Sequence, residues 1–148
     1  MLTKLLLTVG LILMSTNLIA KGEKSFYLSA EPVTGNEVLF QCDKKFHLAS
    51  IWEIYNFSGL TYNTKLGYTT DSSGFGPPEG EPGWVSAGNN SGWASCENWT
   101  TTANMGTFAM VAFWEIMDFG GDSNHPGDGW FIEHHACAEP IRVWCVSD

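Results

Sequence analysis

The chain has 148 residues, of which 44% are hydrophobic, 14% are aromatic and only 16% are charged. This length and this apolar content suit one folded domain, and they exclude two large domains and an intrinsically disordered chain. The net charge is −9 and no basic stripe is present, which excludes nucleic acid as a partner because counterion release needs clustered lysine and arginine.

Residues 1–20 have the pattern of a secretory signal peptide. Lys4 precedes an apolar run over residues 5–14, and Ala20 is a small residue that suits the cleaved position. The apolar run is shorter than the roughly 20 residues that a membrane-spanning helix needs. We therefore expect a secreted or periplasmic protein whose residues 21–148 form a single domain, with no membrane insertion after cleavage.

Four cysteines follow this segment, at Cys42, Cys96, Cys137 and Cys145. An even number of cysteines in an exported chain predicts two disulfides. The gaps between the cysteines are longer than those of a zinc site built from close pairs. The spacing by itself leaves all three pairings open.

The first half of the exported chain reads as alternating short strands and helices. The predicted strands cover residues 26–28 and 46–49, and Asn36 is the predicted N-cap of a first helix that runs to Cys42. Ser50 and Glu53 have the spacing of a capping box, which predicts a second helix of two or three turns. The residues expected on the buried face of that helix are Ile51, Ile54 and Tyr55. His47 is expected to be a buried, hydrogen-bonded core residue.

The second half consists of short apolar segments between long loops. Proline and glycine in residues 71–82 exclude a helix or a central strand there, and a second loop covers residues 118–129. The most apolar segment, residues 107–114, is predicted to be the central buried strand. Further strands are predicted at residues 83–85, 130–132 and 141–146. Short helices followed by short strands predict an α+β domain.

Several segments resemble the C-type-lectin-like fold. They are FHLASIWEI at residues 46–54, the Gly-Trp-Val at residues 83–85, CENWT at residues 96–100 and CAEPIRVWCV at residues 137–146. The chain is most similar to a family of small secreted bacterial proteins of that fold, over residues 26–148. The resemblance implies two short helices, a small, mostly antiparallel sheet and long loops. It also implies nested disulfides, Cys42 with Cys145 and Cys96 with Cys137.

The chain departs from the sugar-binding C-type lectins at their calcium site. Neither the Glu-Pro-Asn nor the Gln-Pro-Asp tripeptide occurs, and the Glu-Pro-Gly at residues 81–83 has glycine where an oxygen ligand is needed. Calcium-dependent sugar binding of that kind is therefore not expected. A separate candidate Ca²⁺ site is the glycine-rich loop with Asp118, Asp122 and Asp128, because Ca²⁺ takes six to eight oxygen ligands from flexible loops. The alternative is that this loop is a solvated turn region.

Tryptophans supply the remaining candidate residues. Those expected in the core, because they lie in predicted strands, are Trp84, Trp114 and Trp144. Those expected to contact a ligand, because they flank glycine-rich loops, are Trp93, Trp99 and Trp130. An exposed indole stacks on a sugar or anchors a protein partner. The alternative is that these three rings cover the core beneath the loops.

The sequence shows neither a nucleophile elbow nor a phosphate-binding loop, and two disulfides would leave no free cysteine. The function predicted from the sequence is therefore a secreted, non-catalytic recognition domain whose ligand is a glycan or a protein at a cell surface. Calcium is the only cofactor that the sequence suggests. The alternative function is a structural or protein-interaction module of a surface assembly, without a small-ligand site.

Overall fold

The structure is a computed structural model that describes residues 24–56, 59–71, 74, 76–88, 94–111 and 129–148. Over these residues the chain forms an α+β domain with two short helices, a mixed sheet of seven strands and two disulfides. No helix within these ranges is long and apolar enough to cross a membrane.

The strands are short and each helix is a single turn. The strands are β1 (Lys24–Leu28), β2 (Phe46–Leu48), β3 (Leu60–Tyr62), β4 (Gly83–Trp84), β5 (Met105–Val111), β6 (Trp130–Ala136) and β7 (Arg142–Ser147). The helices are α1 (Ile51–Ile54) and α2 (Cys96–Trp99). Strand β3 has no counterpart among the sequence-based predictions.

The helix predicted over residues 36–42 is only a 3-10 turn at Val38–Phe40. Glu37 stands at its N-cap without a side-chain hydrogen bond to the turn, and Val38 is its one buried residue. Without a cap or a longer apolar stripe, little favours a longer helix. Helix α1 is likewise shorter than the two or three turns that the sequence predicts.

Strand β7 lies at the centre of the sheet. The strand order is β3-β1-β7-β4-β5-β6, and β2 pairs with β7 as well. The first half of β7 pairs with β4 and its second half with β2, while β1 pairs along the opposite edge. The prediction that residues 107–114 form the central strand is therefore wrong. Their described part belongs to β5, which lies between β4 and the terminal strand β6.

The strand register places α1 and the Val38–Phe40 turn on opposite faces of the sheet. Phe26 and His47 are both opposite Val146, so their side chains project from one face. Helix α1 lies on this face, because its Glu53 contacts His47. Cys145, one residue earlier in β7, projects from the other face and is bonded to Cys42, which follows the 3-10 turn.

Two of the predicted core tryptophans, Trp84 and Trp144, are completely buried. The indole N–H of Trp84 donates to the carbonyl of Val33 at 2.9 Å, and that of Trp144 donates to the carbonyl of Ala109 at 2.8 Å. Each ring therefore contributes buried apolar area without leaving its polar atom unsatisfied. Trp114 lies outside the described residues.

The two disulfides join Cys42 with Cys145 and Cys96 with Cys137. This is the nested pairing that the resemblance implies, and it leaves none of the four cysteines free. The outer bond ties the segment after the 3-10 turn to the central strand. The inner bond ties α2 to the residue that follows β6.

Helix α2 is a left-handed turn. Cys96, Glu97, Asn98 and Trp99 have φ angles of 47°, 50°, 59° and 62°, and none of them is glycine. The left-handed conformation costs an L-residue roughly 1–2 kcal/mol, so the four residues together store about 4–8 kcal/mol. Such a turn persists only where its surroundings hold it.

Candidate functional site

Helix α1 is fixed at its start by the capping box that the sequence predicts. The Ser50 hydroxyl accepts a hydrogen bond from the Glu53 amide at 3.3 Å. In return the Glu53 carboxylate accepts from the Ser50 amide at 3.1 Å and from its hydroxyl at 2.8 Å. These reciprocal bonds satisfy the amides of Ser50 and Glu53 and fix the first turn of the helix.

The fixed turn leaves two aromatic side chains of the α1 segment exposed. Ile54 is completely buried, whereas Trp52 is 71% exposed and Tyr55, at the C-cap, is 54% exposed. Successive helical residues differ by about 100°, so Trp52 and Tyr55, three positions apart, share one side. The expectation that Tyr55 lies on the buried face is therefore wrong. We call these two side chains the α1 aromatic face.

A polar network borders this face. Glu53, the next residue after Trp52, accepts from Lys24 Nζ at 3.2 Å and lies 3.1 Å from His47 Nε2. Burial alone would raise the pKa of Glu53, but the hydrogen bonds from Ser50, Lys24 and His47 outweigh it and lower the pKa to about 2. The carboxylate is therefore ionised throughout the neutral range and keeps accepting these bonds.

His47 links two carboxylates instead of lying in the core. Its side chain is 42% exposed, so the expectation of a buried residue is wrong, although the expected hydrogen bonding is present. Nδ1 lies 2.9 Å from Asp148 Oδ1, while Nε2 faces Glu53. Each ring nitrogen of His47 therefore faces a different carboxylate, and the ring bridges α1 and the residue that follows β7.

The network joins α1 to three other parts of the sheet. Lys24 belongs to β1, His47 belongs to β2 and Asp148 directly follows β7. Strands β1 and β2 pair with opposite edges of β7, so the contacts of Glu53 span the central strand. The α1 aromatic face is thus presented by a helix that is fixed by its cap and by long-range polar contacts.

The structure does not place Trp99 and Trp130 on the surface. Trp99 is 7% exposed and its ring packs against that of Trp84 with 5.8 Å between centroids. Trp130 is 4% exposed and meets Trp144 edge to face at 4.8 Å. Their burial corrects the expectation that these rings offer a face to a ligand and favours the alternative that they cover the core. Trp93 lies outside the described residues.

The proposed metal ligands Asp118, Asp122 and Asp128 also lie outside the described residues. In the part of the chain that the structure describes, no three His, Cys, Asp or Glu side chains are grouped as metal ligands would be. The calcium site therefore stays a prediction from the sequence.

The candidate site that the sequence analysis missed is Trp52. The signal was nevertheless present, because the capping box fixes the helical register. With Ile51 and Ile54 assigned to the buried side, Trp52 must lie about 100° away from Ile51. Comparison with protein-family models, curated proteins and solved structures gives no match to this chain.

Proposed function

We propose that this protein is a secreted, non-catalytic recognition domain with the C-type-lectin-like fold, and that its ligand contacts the α1 aromatic face. The observation that carries the proposal is the 71% exposure of Trp52 on a helix held by a capping box and by the Glu53 network. An exposed tryptophan on a rigid element is a typical anchor of a binding interface.

The disulfides and the first residues of the chain support export. Both disulfides need an oxidising compartment, and residues 1–20 have the pattern of a signal peptide. The α+β architecture and the nested disulfides support the C-type-lectin-like assignment, because the resemblance implies both. The ligand that we propose is a glycan or a protein at a cell surface.

The charge of the chain indicates which charge its ligand can carry. A net charge of −9 repels strongly acidic partners at long range. Next to Trp52, the charges of Lys24 and Glu53 are paired with each other. An uncharged or basic ligand therefore suits this face better than an acidic one.

Binding to intact cells tests the proposal. The oxidised, fluorescently labelled protein is titrated onto bacterial and animal cells in parallel with the Trp52→Ala and Tyr55→Ala variants. Loss of a hot-spot residue weakens binding by at least about 1.4 kcal/mol, which is tenfold in Kd. Leu66→Ala is the matched control, because Leu66 is another exposed apolar residue, 39% exposed, in the turn after β3.

Equal binding by wild type and Trp52→Ala would refute the proposed site. Pretreating the cells with periodate or with protease separates a glycan ligand from a protein ligand. Repeating the titration in calcium and in EDTA tests the predicted site at Asp118, Asp122 and Asp128.

The second candidate function is a structural module of a surface assembly. Two exposed apolar residues on the other face of the sheet support it. Phe40 is 84% exposed and Leu39 is 55% exposed on the 3-10 turn. A protein that uses this face would lose association in Phe40→Ala and keep it in Trp52→Ala. The two candidate functions therefore predict opposite outcomes for the same pair of variants.

A further inference from the structure

Several hydrogen bonds hold the left-handed turn α2. The amides of Thr100 and Thr101 donate to the Cys96 carbonyl at 3.0 and 3.2 Å, and the Thr100 hydroxyl donates to the Glu97 carbonyl at 2.6 Å. Glu97 and Asn98 are exposed, and the Glu97 carboxylate accepts a hydrogen bond from the side-chain amide of Asn104. The Ser95 hydroxyl accepts from the Asn98 amide at 3.3 Å. A hydrogen bond contributes about 0.5–1.5 kcal/mol net, so these bonds offset part of the strain of the four left-handed residues.

The first and last residues of the turn are held more firmly. Cys96 is completely buried and bonded to Cys137, and Trp99 packs against Trp84. The Trp99 amide donates to the Ser95 carbonyl at 2.7 Å. The covalent bond to Cys137 is the strongest of these restraints.

The inner disulfide lies in a slot formed by two glycines. A Cβ atom added at Gly106 would lie 2.8 Å from Cys96 Sγ, and one added at Gly35 would overlap the same sulfur. The Gly35 amide donates to the Cys137 carbonyl at 2.8 Å, so the backbone closes over the bond. A side chain at either glycine would therefore occupy the space that the disulfide fills.

We propose that the Cys96–Cys137 disulfide is a redox-dependent lock, which holds α2 left-handed when it is closed and releases the turn and Trp99 when it is reduced. In the reducing step a dithiol supplies two electrons and two protons. The bond between the two sulfurs breaks, two thiols form on Cys96 and Cys137, and the dithiol becomes a cyclic disulfide. This inference does not depend on the α1 aromatic face or on the nature of the ligand.

Hydrogen exchange of the Cys96→Ala/Cys137→Ala variant tests the lock. The reporters are the amides of Trp99 and Thr100, which donate to the carbonyls of Ser95 and Cys96 in the closed state. We expect their exchange to accelerate at least tenfold while the amides of β1 and β7 keep their protection. Unchanged protection of Trp99 and Thr100 would overturn the proposal, and so would simultaneous loss of protection in every strand.

The redox equilibrium of the intact disulfide provides a second test that does not require a folded double variant. Glu97→Gly removes the left-handed penalty at an exposed position, since glycine adopts this conformation freely. The closed state should then be favoured, so reduction by a glutathione buffer should need at least a fivefold more reducing ratio. The equilibrium of Cys42–Cys145 in the same molecule is the internal control. An unchanged equilibrium for Cys96–Cys137 would show that turn strain is not coupled to the bond.

Discussion

Replacing Glu53 tests whether its carboxylate network holds α1 in place. The alanine variant removes the capping box and the contacts with Lys24 and His47 together. A lost cap costs about 1 kcal/mol, and each partly exposed ion pair adds about 0.2–1 kcal/mol. We therefore expect Glu53→Ala to lower the free energy of unfolding by about 2 kcal/mol at pH 7. Glu53→Gln keeps a side chain that suits the capping box and removes only the charge. Its free energy of unfolding should therefore fall by about 1 kcal/mol.

The charge of Glu53 also predicts a dependence on pH. The gap between the ordinary pKa of 4.5 and the folded-state pKa of about 2 corresponds to at most about 3.4 kcal/mol. Solvent screens a side chain that is 27% exposed, and we reduce this figure to about 1–2 kcal/mol. Because folding lowers the pKa, this stabilisation is complete above pH 4.5 and is lost as the pH falls toward 2.

Urea unfolding of the wild type and Glu53→Gln between pH 7 and pH 2 measures this contribution. The stability difference between them should be constant down to about pH 4.5 and should approach zero near pH 2. Glu133→Gln is the matched control, because Glu133 is exposed on β6 and lies outside the network. A difference between wild type and Glu53→Gln that persists unchanged at pH 2 would refute the reasoning.

The remaining predictions concern the core, a close contact and the outer disulfide. Replacing Trp99 or Trp130 by alanine should lower the free energy of unfolding by about 3–5 kcal/mol, and a loss below about 0.5 kcal/mol in urea titrations would contradict their place in the core. Gly83→Ala places a Cβ atom 2.6 Å from a buried indole, so we expect a loss of about 1–3 kcal/mol, and an unchanged Tm would argue against that contact. Cys42 and Cys145 are 103 residues apart, and replacing both by alanine should remove about 4.7 kcal/mol in the chain-entropy model; guanidinium unfolding that matches the wild type would contradict this estimate.

The sequence predicted best where the determinants are local. The Ser50–Glu53 capping box needs only a four-residue spacing, and the structure has both of its hydrogen bonds. Local sequence does not show that β7 is the central strand, because that position depends on which other strands pair with β7. The sequence does not predict strand β3, because the strand has only three residues. Its parallel pairing with β1 joins two segments that lie far apart in the chain.

Exposure was harder to predict than secondary structure. Trp99 is close to a glycine-rich loop in sequence, but the left-handed turn directs its ring onto Trp84. Trp52 is assigned to neither side of α1 by the sequence-based prediction, and its exposure follows from the register of a single helical turn that buries Ile54. In both cases one turn of backbone decides the direction of the ring, and the composition of the neighbouring residues does not reveal it.

The separation of the exposed apolar residues constrains how the domain can bind. Trp52 and Tyr55 together expose about 250–300 Å² of side chain, estimated from their exposed fractions and the size of aromatic residues. A stable protein interface needs about 800 Å² on each partner. The other pair, Leu39 and Phe40, lies across the sheet and cannot enlarge the same contact, because the register of β1, β2 and β7 directs the two elements to opposite faces. A ligand on either face must therefore be small, bind weakly or also contact polar surface. A partner on each face would make the domain a bridge between two molecules.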